Sequence, residues 1–140
     1  MKVEELLPCT LTDAKNLNQL MHELFSTSYC NEAILNAIIE DENSHAYKIH
    51  VEGQIVVAGT LCVIHTLEFT NAYIGSVVVS SNLRRQGLGK LLAAHMINEA
   101  QSNNVHSIHL TSNPKRVLAN YLYQSVGFVK YETNCYVLNL

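Results

Sequence analysis

The sequence has no tryptophan, two prolines and six glycines in 140 residues, and only 15% of it is charged. So little proline and glycine excludes collagen-like and low-complexity chains. The low charge stands beside 48% apolar residues, enough to offset the entropy of ordering, which excludes disorder. No apolar run approaches the roughly 18 residues of a membrane span, so no membrane partner is expected. The opening MKVEELLPCT turns acidic at once and does not read as a secretory leader. There is no CxxC pair and no Cys–His set at metal-finger spacing. Cys9, Cys30, Cys62 and Cys135 are scattered, which predicts reduced, mostly buried thiols in a cytoplasmic protein and no metal.

The length suits one domain over residues 1–140. The net charge of −3 excludes a general nucleic-acid binder, which would be strongly basic. That total hides a division. Residues 1–83 carry three lysines against ten acids, and residues 84–140 carry six basic residues against Glu99 and Glu132. An acidic half joined to a basic half suggests two kinds of partner, one of them anionic.

The periodicities predict an α/β chain. Residues 3–7 suit a short strand. Leu17, Leu20, Met21 and Leu24 recur at helical spacing behind Thr12 or Asp13 as a cap, and a second helix follows Asn31. Residues 45–51 and 54–66 read as a hairpin turning at Glu52-Gly53, and 72–80 as a third strand. A helix carries Leu88, Leu91, Leu92, His95 and Met96, and 106–111 is a short strand. Pro114 suits the first turn of a last helix with Val117, Leu118, Tyr121, Leu122 and Val126, which Gly127 stops. FVKYE and NCYVLNL then predict a closing hairpin. None of the seven histidines falls in an HExxH or triad pattern, and His22, His45, His50, His95, His106 and His109 read as structural.

The chemistry concentrates after Val77-Val78-Val79, where Arg84-Arg85-Gln86-Gly87-Leu88-Gly89-Lys90 leads into a helix. The first N–H groups of a helix have no partner within it, and the helix dipole is positive there. Glycines let that backbone approach a ligand, and Arg84, Arg85 and Lys90 add charge, which together suit a diphosphate. The loop is neither a Walker A sequence nor GxGxxG.

A second motif follows in Ala119-Asn120-Tyr121-Leu122-Tyr123-Gln124-Ser125-Val126-Gly127-Phe128. It resembles the A-x-x-L-Y-x-x-x-G-F helix of the GNAT superfamily of N-acetyltransferases. The preceding loop resembles that superfamily's Q/R-x-x-G-x-G/A acetyl-CoA signature, in the right order and with one strand between the two. The specific resemblance covers residues 74–128. It implies a GNAT fold, a mixed, mostly antiparallel sheet of about seven strands flanked by about four helices.

The resemblance also implies an acetyl-CoA-dependent N-acetyltransferase whose acceptor is a small-molecule or peptide amine, attacking directly in a ternary complex, as a monomer or homodimer. Val77, Val78 and Val79 would pair with the pantetheine arm. Amides from Arg85 through Gln86, Gly87, Leu88 and Gly89 to Lys90 would hold the pyrophosphate, with Arg84 also at the coenzyme. Asn120 would touch the coenzyme, and Tyr123 would be the general acid. Tyr121 and Tyr123 point about 200° apart on a helix, so one fills the core while the other reaches a cleft. Tyr121 is assigned to the core and Tyr123 to the cleft. A phenol within reach could protonate the departing thiolate.

The sequence departs from the family at the base. Many members carry an acid in the segment matching Ile74-Gly75-Ser76-Val77, and here those positions hold Gly75 and Ser76. His65, Glu68 or water are the candidate replacements. The same gap is the sequence support for a rival reading, a non-catalytic acyl-CoA-binding sensor or interaction module. The acidic half of the chain would draw a cationic acceptor.

Overall fold

The computed structural model describes residues 1–7, 10–25 and 30–140. The expected thiol of Cys9 lies outside them. The first helix, α1 (Leu11–His22), starts one turn earlier than the apolar spacing suggests. Thr10, not Thr12 or Asp13, is its cap, and its side chain accepts from the Asp13 N–H while the Asp13 carboxylate accepts from the Thr10 N–H. This reciprocal box satisfies two otherwise orphaned donors. Asn31 caps α2 (Glu32–Glu40) as predicted, its side chain accepting from the Ile34 N–H.

Five strands form one sheet in the order β1 (Glu4–Glu5), β2 (Ser44–Val51), β3 (Gln54–His65), β4 (Thr70–Val79) and β5 (Ile108–His109). Each neighbouring pair among the first four is antiparallel, and β5 runs parallel to β4. The β2–β3 turn is Glu52-Gly53, both at positive φ (51° and 79°), as a tight two-residue hairpin requires. Helix α3 (Leu88–Ser102) covers β2, β3 and β4, while α4 (Val117–Ser125) packs mainly on α3.

The core has two layers, one on each sheet face. Tyr47, Ile49, Val57, Leu61, Ile74 and Val77 meet Leu92 and Met96 of α3. On the other face Ile55, Ala58 and Val78 meet Leu17, Leu20 and Leu35 of α1 and α2. Gly59 lets α3 approach the sheet: a Cβ there would stand 3.0 Å from Leu92 Cδ2 and 3.3 Å from Val77 Cγ2.

The α/β fold with a mixed, mostly antiparallel sheet and four α-helices is as expected, with five strands among the described residues instead of about seven. The difference lies at the C-terminus. The predicted closing hairpin is absent: residues 128–140 form no strand, and every residue from Val129 onward is exposed. Tyr121, expected in the core, is instead the exposed one of the two tyrosines. Tyr123 is 6% exposed and Tyr121 73% exposed, because α4 turns Tyr123 toward Phe128 and leaves Val117, Leu118 and Tyr121 on an open side. The thiols differ too: Cys62 is half-buried and Cys135 is exposed, neither in a disulfide.

Candidate active site

The centre of the site is an irregularity in β4. Thr60 pairs with Gly75, but Ala58 pairs with Val78, so Ser76 and Val77 together face the single residue Gly59. This is a β-bulge, and Ser76 takes a left-handed φ of 54° within it. The extra residue shifts the alternation. Ile74 and Val77, three apart, face α3 together, while Val78 faces α1 and α2. Thr60 Oγ1 fixes the bulge by donating to the Gly75 carbonyl at 2.9 Å.

Beyond the bulge β4 loses its outer neighbour. β5 pairs only with Ala72 and Tyr73. The edge of β4 from Gly75 to Val79 is left without a strand beside it. Arg116, at the start of α4, reaches into this opening and donates to the Val77 carbonyl through a long 3.5 Å contact. Tyr123 borders the same opening. Its ring meets Phe128 edge-on with centroids 6.0 Å apart. Burial pushes its phenol pKa up; the Arg116 guanidinium opposes that shift, and Tyr73 adds to it. Tyr123 is therefore a neutral proton donor within the field of the Arg116 cation.

The glycine loop leads from β4 to α3. After a 3-10 turn at Ser81–Leu83, Arg85 and Gly87 both take left-handed φ, 64° and 79°. Gly87 is the cap of α3, and no side chain among the described residues caps that first turn. Those donors are available to an anion. The two loop glycines serve different ends. A Cβ on Gly87 would meet nothing within 4 Å, so only its φ demands glycine. A Cβ on Gly89 would stand 3.2 Å from Leu122 and 3.4 Å from Val79, so Gly89 sets how closely α3 approaches α4 and β4. Arg85, Gln86 and Lys90 are exposed beside the loop. Arg84 is turned back, its Nε donating to the Val79 carbonyl at 3.2 Å.

Four contributors escaped the sequence reading. Glu23, just past α1, accepts from the Ser81 N–H at 2.7 Å and lies 4.0 Å from Arg84 Nη2, anchoring the loop from the far layer. Arg116 enters the sequence pattern only as one of the six basic residues of 84–140. Tyr73 folds its ring over Gly75 and places its hydroxyl 3.4 Å from Thr111 Oγ1. Thr60 was one residue of a strand. Only Arg116 carries a local signal, its charge; the others depend on which elements meet.

Asn120, expected at the coenzyme, donates Nδ2 to the carbonyls of Asn113 (2.9 Å) and Arg116 (2.8 Å), tying down the turn before α4. His65 and Glu68 are not gathered with the rest. His65 ends β3 and contacts Thr70 Oγ1 at 2.9 Å, and Glu68 lies in the following turn. Six residues of extended chain, about 20 Å, separate Thr70 from Ser76. Ser76 and Thr60 instead border a cavity of about 240 Å³ whose other walls include Leu17, Met21, Ile34 and Leu35. No charged side chain lines it among the described residues. No group of three or more His, Cys, Asp or Glu is gathered among them either.

Residues 10–139 match the acetyltransferase (GNAT) domain family. The chain belongs to the GNAT acetyltransferase family. No curated protein sequence matches it, but solved structures do. An aminoglycoside acetyltransferase from an uncultured soil metagenomic sample, solved in complexes with trehalose and with sisomicin, is similar at 21% identity. The match covers 99% of this chain and 95% of that one, with a TM-score of 0.85. A glucosamine-6-phosphate N-acetyltransferase from Arabidopsis thaliana is 16% identical over 98% of this chain and 97% of its own, with a TM-score of 0.80. A transcriptional regulator from Bacillus halodurans C-125 is 20% identical over 99% of both chains, with a TM-score of 0.86. These likenesses establish the GNAT fold. No helix among the described residues of this GNAT chain is long and apolar enough to cross a membrane.

Proposed function

We propose that residues 1–140 form a single N-acetyltransferase domain that moves an acetyl group from acetyl-CoA to a primary amine, by direct attack in a ternary complex. The observation that carries this reading is the open β4 edge from Gly75 to Val79, bordered by Tyr123 on one side and the uncapped start of α3 on the other. An extended pantetheine arm needs such an edge, and a diphosphate needs such a helix start. Val77, Val78 and Val79 would offer backbone groups to the arm. Arg84, Arg85, Gln86, Gly87, Leu88, Gly89 and Lys90 would surround the phosphates, and Asn120 would shape the near wall.

Acetyl-CoA supplies the acetyl group as a thioester. The acceptor's neutral amine forms a C–N bond to the carbonyl carbon, the C–S bond breaks, and the thiolate takes a proton from the Tyr123 hydroxyl, while the new amide nitrogen gives its surplus proton to water, from which the phenol is restored. Arg116 beside that phenol offsets the negative charge Tyr123 carries until it is reprotonated. The ammonium form of the acceptor must first lose a proton. His65 and Glu68 stand too far along β3 and β4 for that task, so water accepts it. The cavity at Ser76 and Thr60 suits an acceptor whose amine reaches the bulge while an apolar body rests on α1 and α2. Its uncharged lining favours such an acceptor over a polycation.

One experiment tests the reaction: thiol release from acetyl-CoA across a panel of primary amines. Release with apolar amines is the expected result, and silence across the panel would favour a non-catalytic acyl-CoA-binding module. The missing acid at Gly75 and Ser76 favours that second reading. Both readings require acetyl-CoA and CoA to raise the melting temperature while ATP and NAD do not.

A further inference from the structure

The polar end of the cavity at the bulge is a pair of hydroxyls. Thr60 of β3 and Ser76 of β4 border it, and its other walls are mainly apolar. Tyr47 also touches the cavity, but its ring packs in the layer under α3. Where one hydrogen goes decides what the Thr60 hydroxyl can do. A hydroxyl has one hydrogen to donate and two lone pairs to accept with. Thr60 Oγ1 lies 2.9 Å from the Gly75 carbonyl oxygen, which can only accept, so the single Thr60 hydrogen is committed there. Toward anything else Thr60 Oγ1 is an acceptor.

Ser76 occupies a position that its backbone does not favour. Its φ of 54° is left-handed, and a bulge residue in that conformation is ordinarily glycine. The sequence does place a glycine here, but one residue early, at Gly75, where φ is not left-handed. The strained position therefore carries a side chain. That side chain is an exposed hydroxyl with no hydrogen-bond partner among the described residues. Such strain persists at sites where the side chain is used.

We propose that Thr60 and Ser76 select the acceptor by the number of its N–H groups. The inference rests on the reading of this cavity as the acceptor site. Each hydroxyl oxygen accepts one N–H of a neutral primary amine, and the carbon substituent lies back along the apolar walls. The one direction left at nitrogen is its lone pair, which faces the open β4 edge where the thioester would lie. Neither O–H bond breaks, and the proton shed by the ammonium form goes to water. A neutral secondary amine or an alcohol has a single hydrogen to offer and leaves one oxygen unmatched. The apolar walls supply no substitute donor, and an acceptor stripped of water without a partner is costly. Thr60 and Ser76 are thus specificity-determining residues for primary amines.

Calorimetric titration of the full chain with hexylamine and with N,N-dimethylhexylamine, with and without CoA, tests the pair. At neutral pH both are cations with the same apolar body, but the dimethyl compound keeps a single N–H. Hexylamine should bind at least about ten-fold more tightly. Ser76→Gly should cut that preference to about two-fold, while its melting temperature holds or rises because glycine suits a left-handed φ. Thr60→Val should lose the preference, and Thr60→Ser, which keeps the hydroxyl, should retain it. In turnover Ser76→Gly should slow hexylamine and leave the slower N-methylhexylamine unchanged. Equal binding of the two titrated amines by the parent chain, or none of either, overturns the proposal. So does a preference that survives Ser76→Gly, a fall in that variant's melting temperature, or a loss that strikes both amines alike. An intact preference beside silence in thiol release upholds the pair and sinks the acetyl-transfer reading instead.

Discussion

The ring of Tyr73 lies across Gly75, with Tyr73 Cε1 only 3.0 Å from where a Gly75 Cβ would stand. The two residues are neighbours on one side of β4, and Gly75 lies in the segment matching the one in which many GNAT members carry an acid. The space an acidic side chain would use is filled by a phenol whose hydroxyl reaches Thr111. Gly75→Ala should therefore displace the ring and cost about 1 kcal/mol, and the cost should vanish in a Tyr73→Ala background. Urea unfolding of the four proteins of this cycle checks it. Additive effects would mean that the ring yields freely.

Two buried tyrosines make stability fall in alkali. Burial raises the phenol pKa of both Tyr47 and Tyr123, with Glu99 and Glu5 adding to the shift at Tyr47. Their folded values exceed that of an unfolded tyrosine, about 10. The stability they contribute is thus fully present below that pH and is lost as pH rises toward the folded values. Each group should remove about 1.4 kcal/mol per pH unit in that window. Unfolding midpoints between pH 8 and 11 measure the slope, and Tyr47→Phe and Tyr123→Phe should each flatten it. A slope unchanged in both variants would assign the loss to other groups.

Tyr123→Phe separates chemistry from binding. The phenol's raised pKa keeps it protonated across the neutral range, so its loss removes an acid that is always ready. Turnover should fall about 10²-fold, the low end for general acid catalysis, with CoA affinity within about two-fold. Steady-state kinetics alongside calorimetric titration with CoA resolve the two. Wild-type turnover in the variant would remove Tyr123 from the mechanism.

Much of this site was legible because its signals are local. A left-handed turn needs a glycine, so Gly53 and Gly87 mark their own positions, and Asn31 announces its helix. What the sequence withheld depends on distant partners. Parity places Tyr121 and Tyr123 on opposite sides of α4 but does not say which side is covered, and it is Tyr123 that is buried and Tyr121 that is exposed. The alternation in FVKYE and NCYVLNL is that of strands, yet period alone does not name the strand that receives them. Ser76 and Val77 sit in an unremarkable β-rich run, and the bulge exists only through their register with Gly59.

Glu23 acts on the loop from a different layer of the fold. Its carboxylate takes the Ser81 N–H at 2.7 Å and approaches Arg84, whose Nε holds the Val79 carbonyl. Glu23→Ala should release the β4–α3 connection and weaken CoA binding by about 1 kcal/mol, some five-fold, though Glu23 does not face the phosphates. Glu23→Gln keeps an acceptor for Ser81 and should recover most of the affinity. Calorimetric titration of both variants decides; equal losses would point to the charge and not to the positioning of the loop.

The loop glycines should respond in opposite ways to alanine. At Gly87 space is open but φ is 79°, so Gly87→Ala should cost about 1–2 kcal/mol of stability through left-handed strain. At Gly89 the backbone is helical, and alanine gains about 1 kcal/mol of helix propensity. That gain is offset by Leu122 and Val79, which stand 3.2 and 3.4 Å from the new Cβ and must give way. Gly89→Ala should leave the melting temperature nearly unchanged yet shift the start of α3 away from α4, lowering CoA affinity about five- to ten-fold. Adding Leu122→Ala makes room for the methyl group and should restore the affinity. If Gly89→Ala binds CoA like the parent, or Leu122→Ala brings nothing back, close packing at the start of α3 does not set the geometry of the phosphate cradle.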